Sequence, residues 1–144
     1  MHNINYILMT LLLALGACSD STSPNQNIPA NLKNIWWEVQ SFQSVTGEII
    51  TLAPTEDYFL LFGDSTIYGK SDTLCGNNYH APYWIGGNDS LSIGLIISTE
   101  AWCRSNYWKY LSALQNATSY KINDNTLTIF FNDSKRILYT RRVE

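Results

Sequence analysis

The residues most able to do chemistry in this chain are few: three cysteines (Cys18, Cys75, Cys103) and two histidines (His2, His80). Cys75 and His80 stand five residues apart, and a thiolate beside an imidazole base is the arrangement of a cysteine nucleophile. The same residue types also ligate zinc, but a closed site needs about four of them. Past Cys18 the chain offers only Cys75, Cys103 and His80, so the metal reading is poor, and no acid is placed to orient His80. Glu56-Asp57 is the one adjacent acidic pair. Neighbours on a strand point to opposite faces, so acid/base work between them needs a loop geometry, and a solvated turn is the plainer expectation. The glycines at 63, 69, 76, 86, 87 and 94 match neither a phosphate loop nor a dinucleotide fingerprint. Lys and Arg total 9 against 12 Asp and Glu, a net charge of -3, which argues against a phosphate-backbone binder. No catalytic residue, metal site, cofactor, nucleotide or nucleic-acid partner is therefore expected.

Cys18 has a different chemistry. Residues 4–17, INYILMTLLLALGA, are uncharged and centre on Ile7–Leu15, the length of a signal-peptide apolar core and too short for a permanent span. Leu15-Gly16-Ala17-Cys18 resembles the bacterial lipobox, in which the cysteine is acylated and becomes the mature N-terminus. The expected organisation is a lipoprotein signal peptide over 1–17, a lipidated Cys18 with a tether over 18–31, and a folded domain over 32–144. Residues 19–31, SDSTSPNQNIPAN, have little to bury, and such a flexible segment has a root-mean-square reach of about 20 Å. Ser19 after the cysteine resembles the signal that permits transport to the outer membrane. With Cys18 acylated, Cys75 and Cys103 remain as an even pair in an oxidising compartment, and a disulfide between them is expected. The chain-entropy model assigns a loop of that length roughly 3.6 kcal/mol of stabilisation.

The elements that would hold these residues follow from hydrophobic periodicity. Ile35–Val45 reads as a half-buried strand, with Trp37 and Val39 on one face and Trp36, Glu38 and Gln40 on the other. Tyr58–Phe62 and Thr66–Lys70 form a hairpin across Gly63-Asp64-Ser65. Tyr79–Ile85 and Leu91–Ile97 form another across Gly86-Gly87-Asn88-Asp89. Tyr107, Leu111 and Leu114 mark a helix from Ser105 to about Ala117, with Ser105 or Asn106 as its cap. Strands resume at 119–122, 126–131 and 136–142. The fold class is mainly β: a highly curved antiparallel sheet or small open barrel, with one helix between the middle and closing strands. The triplets that begin at Asn88, Asn116 and Asn132 are expected at turns and helix ends.

An ordered set of short motifs runs through these elements: Ile67-Tyr68-Gly69, then Cys75-Gly76-Asn77-Asn78-Tyr79-His80-Ala81-Pro82-Tyr83, Leu91-Ser92-Ile93, and Ser98-Thr99-Glu100-Ala101-Trp102-Cys103. It continues through Tyr110–Leu114, Tyr120-Lys121-Ile122 and Leu127-Thr128-Ile129. In order and spacing this set resembles the META domain family, small bacterial envelope proteins that are often lipoproteins. The resemblance implies a strongly curved antiparallel sheet with a helix, and no enzymatic site to carry over.

Most of the five tryptophans are expected to fill a small core. Trp37 and Val39 should face inward with Ile129, Ile137 and Tyr139, which leaves Trp36 outside as a candidate binding surface. Lys135-Arg136 and Arg141-Arg142, at the two ends of the last strand, are expected to guard a sheet edge against aggregation. The functional expectation is a lipid-anchored cell-envelope protein whose non-enzymatic domain has a structural or protein-binding role in envelope maintenance or stress, in contact with another envelope component. The alternative is a small-ligand or glycan binder that uses a barrel mouth or an exposed Trp platform.

Overall fold

The computed structural model describes residues 27–72, 76–99, 106–132 and 134–143. Its elements are β1 (Trp36–Gln43), β2 (Ile49–Thr51), β3 (Phe59–Phe62), β4 (Thr66–Lys70), β5 (Asn78–Ile85), β6 (Leu91–Ile93), β7 (Ile97–Ser98), α1 (Tyr107–Gln115), β8 (Ala117–Asn123), β9 (Thr126–Phe131) and β10 (Lys135–Arg141). They form one antiparallel sheet in the order β6-β5-β4-β3-β1-β10-β9-β8, with β2 added to β1 and β7 to β5. The sheet curls until β6 meets β8. Across that seam the Ser90–Ser119 bridge and a bond from Tyr120 N–H to Asp89 O (2.9 Å) join the two sides. The result is a barrel nearly closed, with one unsealed seam.

Strict alternation makes the interior. Tyr79, Ala81 and Tyr83 of β5, Leu127, Ile129 and Phe131 of β9, and Ile137 and Tyr139 of β10 are all buried in one cluster with Trp37 and Val39. On β1 a register shift between Val39 and Ser41 inserts one residue, so the next inward side chain is Phe42. The hairpin expected over 79–97 also carries an insertion. From Tyr83↔Ile93 to His80↔Ile97 the second arm has one residue more than the first, so the strand stops at Ile93 and pairing resumes as β7. That break frees backbone groups, and the helix supplies their partner. Gln115 Nε2 donates to Ile93 O (3.0 Å) and Gly94 O (2.6 Å), and Ile96 N–H donates to Gln115 Oε1 (2.9 Å).

Both ends of the barrel are filled. At one end Leu32 is fully buried and its carbonyl accepts the Trp37 indole N–H (3.4 Å). At the other, α1 inserts Tyr107, Tyr110, Leu111 and Leu114 into the cluster. The core is tyrosine-rich. Of the tryptophans described, Trp37 alone is buried, while Trp84 and Trp108 are about half exposed and Trp36 is half-buried. This corrects the expectation that tryptophans fill the core. Tyr58, Tyr79, Tyr83, Tyr107, Tyr110 and Tyr139 take that role instead. Tyr58 stacks on Tyr110 with ring centroids 5.1 Å apart, and Phe42 meets Tyr110 edge-on at 5.8 Å.

The tyrosine hydroxyls form a chain with a determined direction. Tyr79 O–H donates to Phe59 O at 2.9 Å, which uses its single proton. Tyr110 must then donate to Tyr79 (2.7 Å), and Tyr139 to Tyr110 (3.2 Å). Burial, and for Tyr79 and Tyr139 the neighbouring phenols as well, raises the ionisation of all three well above the ordinary tyrosine range. Gly69 lies beneath this chain. It pairs with Tyr79, whose ring occupies the space a Cβ at Gly69 would need.

Two further expectations change. The basic ends of β10 do not guard an edge, because β10 lies between β1 and β9 in the middle of the sheet. Glu56-Asp57 is not a solvated pair: Asp57 Oδ1 accepts Ser71 Oγ (3.4 Å) and Asp72 N–H (3.0 Å), and Glu56 anchors the helix start. Asn106 stands at the N-cap position, but its side chain makes no capping bond within the helix. Glu56 Oε1 accepts Asn106 N–H (3.0 Å) and Tyr58 O–H (3.2 Å), and Oε2 accepts Ala53 N–H (3.2 Å) and Asn106 Nδ2 (3.4 Å). Partial burial alone would raise the Glu56 pKa, yet these four bonds bring it below the usual carboxylate range. The three asparagine triplets lie where expected, Asn88 (φ 58) and Asn132 (φ 37) at turns and Asn116 at the helix C-cap.

Candidate functional site

Trp36 begins β1 on the outer face, opposite Leu61 of β3, as its parity requires. It forms one wall of a surface hollow of about 490 Å³ that Asn34, Asn125, Arg141, Arg142 and Val143 also line. The hollow is assembled from three chain segments. Arg142 N–H donates to Trp36 O (2.9 Å) and Arg141 N–H to Asn125 O (2.8 Å), which ties the C-terminal segment to β1 and to the turn between β8 and β9. Asn34 adopts a left-handed backbone (φ 58) and donates its N–H to Phe62 O (2.9 Å).

Beside the hollow lies a feature that sequence reading missed. Phe59 is only 4% exposed, yet it stands outside the interior cluster. It is covered from the outer face by cations: the Arg142 guanidinium lies 4.6 Å from the ring centroid and Lys70 Nζ 5.5 Å. Lys70 Nζ is also 5.5 Å from the Trp36 ring. Asp72 fixes both cations, at 2.8 Å from Lys70 and 3.8 Å from Arg142. Each exposed cation–ring contact contributes about 0.5–1 kcal/mol. Trp36 thus sits at the margin of an ordered aromatic and cationic surface that offers one indole, two guanidinium groups and two amides. Such a set recognises a carboxylate-bearing or otherwise polar group.

Among the described residues, His80, Glu56 and Asp57 do not line this hollow. Cys18, Cys75 and Cys103 fall outside the described residues, as do Trp102 and Ser105. The described neighbours of Cys75 and Cys103 are stitched together. Thr99 Oγ1 donates to Asn77 Oδ1 (3.0 Å) and accepts Asn78 N–H (3.0 Å), while Thr99 N–H donates to Asn78 O (3.0 Å). His80 is exposed on the outer face of β5 between Tyr68 and Ile97. Among the described residues no group of three His, Cys, Asp or Glu side chains could hold a metal ion. No helix among them is long and apolar enough to cross a membrane.

Comparison with known proteins agrees with this architecture. The chain is similar in fold to an NMR structure of a protein from Burkholderia xenovorans, with a TM-score of 0.61 at 17% identity, over 88% of this chain and 96% of that one. It is also similar to a DUF4847 family protein from Bacteroides vulgatus, with a TM-score of 0.54 at 15% identity, over 78% of this chain and 96% of that one. The comparison with curated proteins gave no match. The META domain model matches residues 30–144, from the turn that carries Leu32 through the closing strands. With that match over most of its length, the chain belongs to the META domain family.

Proposed function

We propose that this META domain chain is a lipid-anchored, non-enzymatic protein of the bacterial cell envelope, held through Cys18, which works by binding another envelope component on its outer surface. The observation that carries this reading is the filled barrel: Leu32 stops one end, α1 stops the other, and tyrosines pack the space between. Binding therefore falls to the outside, where the hollow beside Trp36 presents Arg141 and Arg142 to a partner. The lipobox supports the anchor, and the bonds that join Asn77 and Asn78 to Thr99 support a Cys75–Cys103 disulfide between the segments that continue from them.

Mass spectrometry of the membrane-extracted protein tests the anchor. The expected mature N-terminus is Cys18 bearing diacylglycerol, and an unmodified Cys18 within a soluble chain overturns it. Crosslinked capture from envelopes tests the contact, with Trp36→Ala expected to lose the partner without loss of fold. The indole wall and two amides of the same hollow favour a second reading, a glycan binder. Titration with N-acetylglucosamine oligomers decides between them: saturable binding abolished by Trp36→Ala selects the glycan.

A further inference from the structure

Eight large apolar side chains are exposed among the described residues, and four of them (Tyr68, Trp84, Leu95 and Ile97) lie on one flank, the outer side of β4 to β7. Cross-strand register aligns them. Leu61, Tyr68, His80 and Ile97 form a row across four strands, with Pro82 and Trp84 two and four residues further along β5. Gly94 keeps this surface flat: a Cβ there would come within 2.8 Å of Pro82 Cγ. The outward positions between Thr66 and Ile97 on these strands carry no Asp, Glu, Lys or Arg, apart from Lys70, which turns to Asp72 and Trp36. The opposite flank, with Glu38, Lys121 and Arg136, is charged. A contiguous apolar surface of this kind marks an interface.

We infer that this flank is the contact between two copies of the chain, paired about a two-fold axis on the membrane. The inference rests on the anchor proposed above. Charge gives the first argument. Two chains of net charge -3 repel, and an uncharged face is where the same surface can meet itself without like charges opposed. Geometry gives the second. The described chain enters at the barrel end that carries Leu32 and Trp36, so copies held by that end turn their flanks toward one another. Size gives the third. A patch built on four exposed large apolar side chains is small against the roughly 20–30 residues a side of a standard specific interface. That is a weak contact in dilute solution, and confinement to one membrane raises the effective concentration toward the millimolar range where it fills.

The test uses the full-length chain in its own membrane, with the photocrosslinker p-benzoylphenylalanine placed at Tyr68 and, in a second strain, at Thr128 on the other flank. The expected result is an adduct of twice the chain mass, containing this chain alone, from Tyr68 and not from Thr128. Ile97→Glu, an exposed substitution that sets like charges across the axis, should reduce it at least tenfold. A Tyr68 adduct with a different protein, an adduct that Ile97→Glu leaves intact, or no adduct from membrane-bound chain each overturns the inference. Fractionation of the same cells reads the anchor separately. Soluble chain refutes the anchor and with it pairing on the membrane, and only an Ile97-sensitive dimer of that soluble chain would keep the interface.

Discussion

The direction of the tyrosine chain makes unequal forecasts for three nearly identical substitutions. Tyr139→Phe removes only the terminal donor, since Tyr110 keeps its own proton engaged with Tyr79. Its cost should be that of one net hydrogen bond, about 1 kcal/mol. Tyr110→Phe removes a donor to Tyr79 and strands the fully buried Tyr139 hydroxyl without an acceptor, and an unsatisfied buried group adds about 1–3 kcal/mol. The total should reach about 2–4 kcal/mol. The double variant Tyr110→Phe/Tyr139→Phe should then be more stable than Tyr110→Phe alone, because the stranded hydroxyl is gone. Urea unfolding of the four proteins measures these differences at a common slope. Equal losses from Tyr110→Phe and Tyr139→Phe, or additive losses in the double variant, would refute the assigned direction. The same chain sets the alkaline limit. A tyrosine whose folded pKa lies above its unfolded value contributes stability that is complete below about pH 10 and is lost as pH rises from there toward the folded value. Tyrosinate absorbance from these three side chains should therefore appear with unfolding rather than before it.

Gly69→Ala should cost more than about 3 kcal/mol or prevent folding, since the new methyl group and the Tyr79 ring claim one space; unfolding curves of the purified variant check it. Gln115→Ala should destabilise by about 2–3 kcal/mol by freeing three backbone groups at the break between β6 and β7, with hydrogen exchange at the Ile96 amide accelerated ahead of the rest of the sheet. Glu56 has a folded pKa below its unfolded value, so its contribution is complete above about pH 4.3 and is lost as pH falls through the folded value; Glu56→Gln should flatten that acid limb of the stability profile. Trp37→Ala should cost about 3–5 kcal/mol as a large-to-small core change, whereas thermal melts should place Trp36→Ala within a few degrees of the parent.

What could be read in advance depended on whether the decisive contact was local. Parity in β1, β9 and β10 placed Trp37, Val39, Ile129, Ile137 and Tyr139 inward, where they lie, and the asparagines at 88 and 132 were expected at turns, whose left-handed backbone asparagine tolerates. The failures share a cause: each was settled by a group far away in the chain. Glu56 reads as a solvated acid until Asn106, 50 residues on, brings a helix terminus to it. The continuous apolar run of β3 hides that Phe59 faces outward, because its cover, Arg142, arrives only with the last strand. The short strand β2 has no alternation of its own and exists by pairing with Ser41–Gln43. Trp36 was legible as an outward residue from parity, but the hollow around it needed the closing turn at Asn125 and the C-terminal arginines.

Tyrosine took the interior from tryptophan for a reason that also bears on where binding occurs. A barrel plugged by a short helix needs more than apolar filling, since an amphipathic helix can slide or rotate on a greasy surface at small cost. Tyr107 and Tyr110 give α1 an address. Tyr107 bonds Ser98 of β7 (2.8 Å), Tyr110 joins Tyr79 of β5 and Tyr139 of β10, and Gln115 fastens the far end of the helix to the break between β6 and β7. A displaced helix would leave several buried polar groups unpaired at once, so these bonds select one seating. The same fastening removes any internal cavity that α1 could open by moving, because every inward tyrosine it carries is already a partner to the wall. A domain built this way has committed its interior to holding its own shape. The surfaces left to meet another molecule are those it keeps rigid on the outside: the cation-capped aromatic margin at Trp36 and the uncharged flank of β4 to β7.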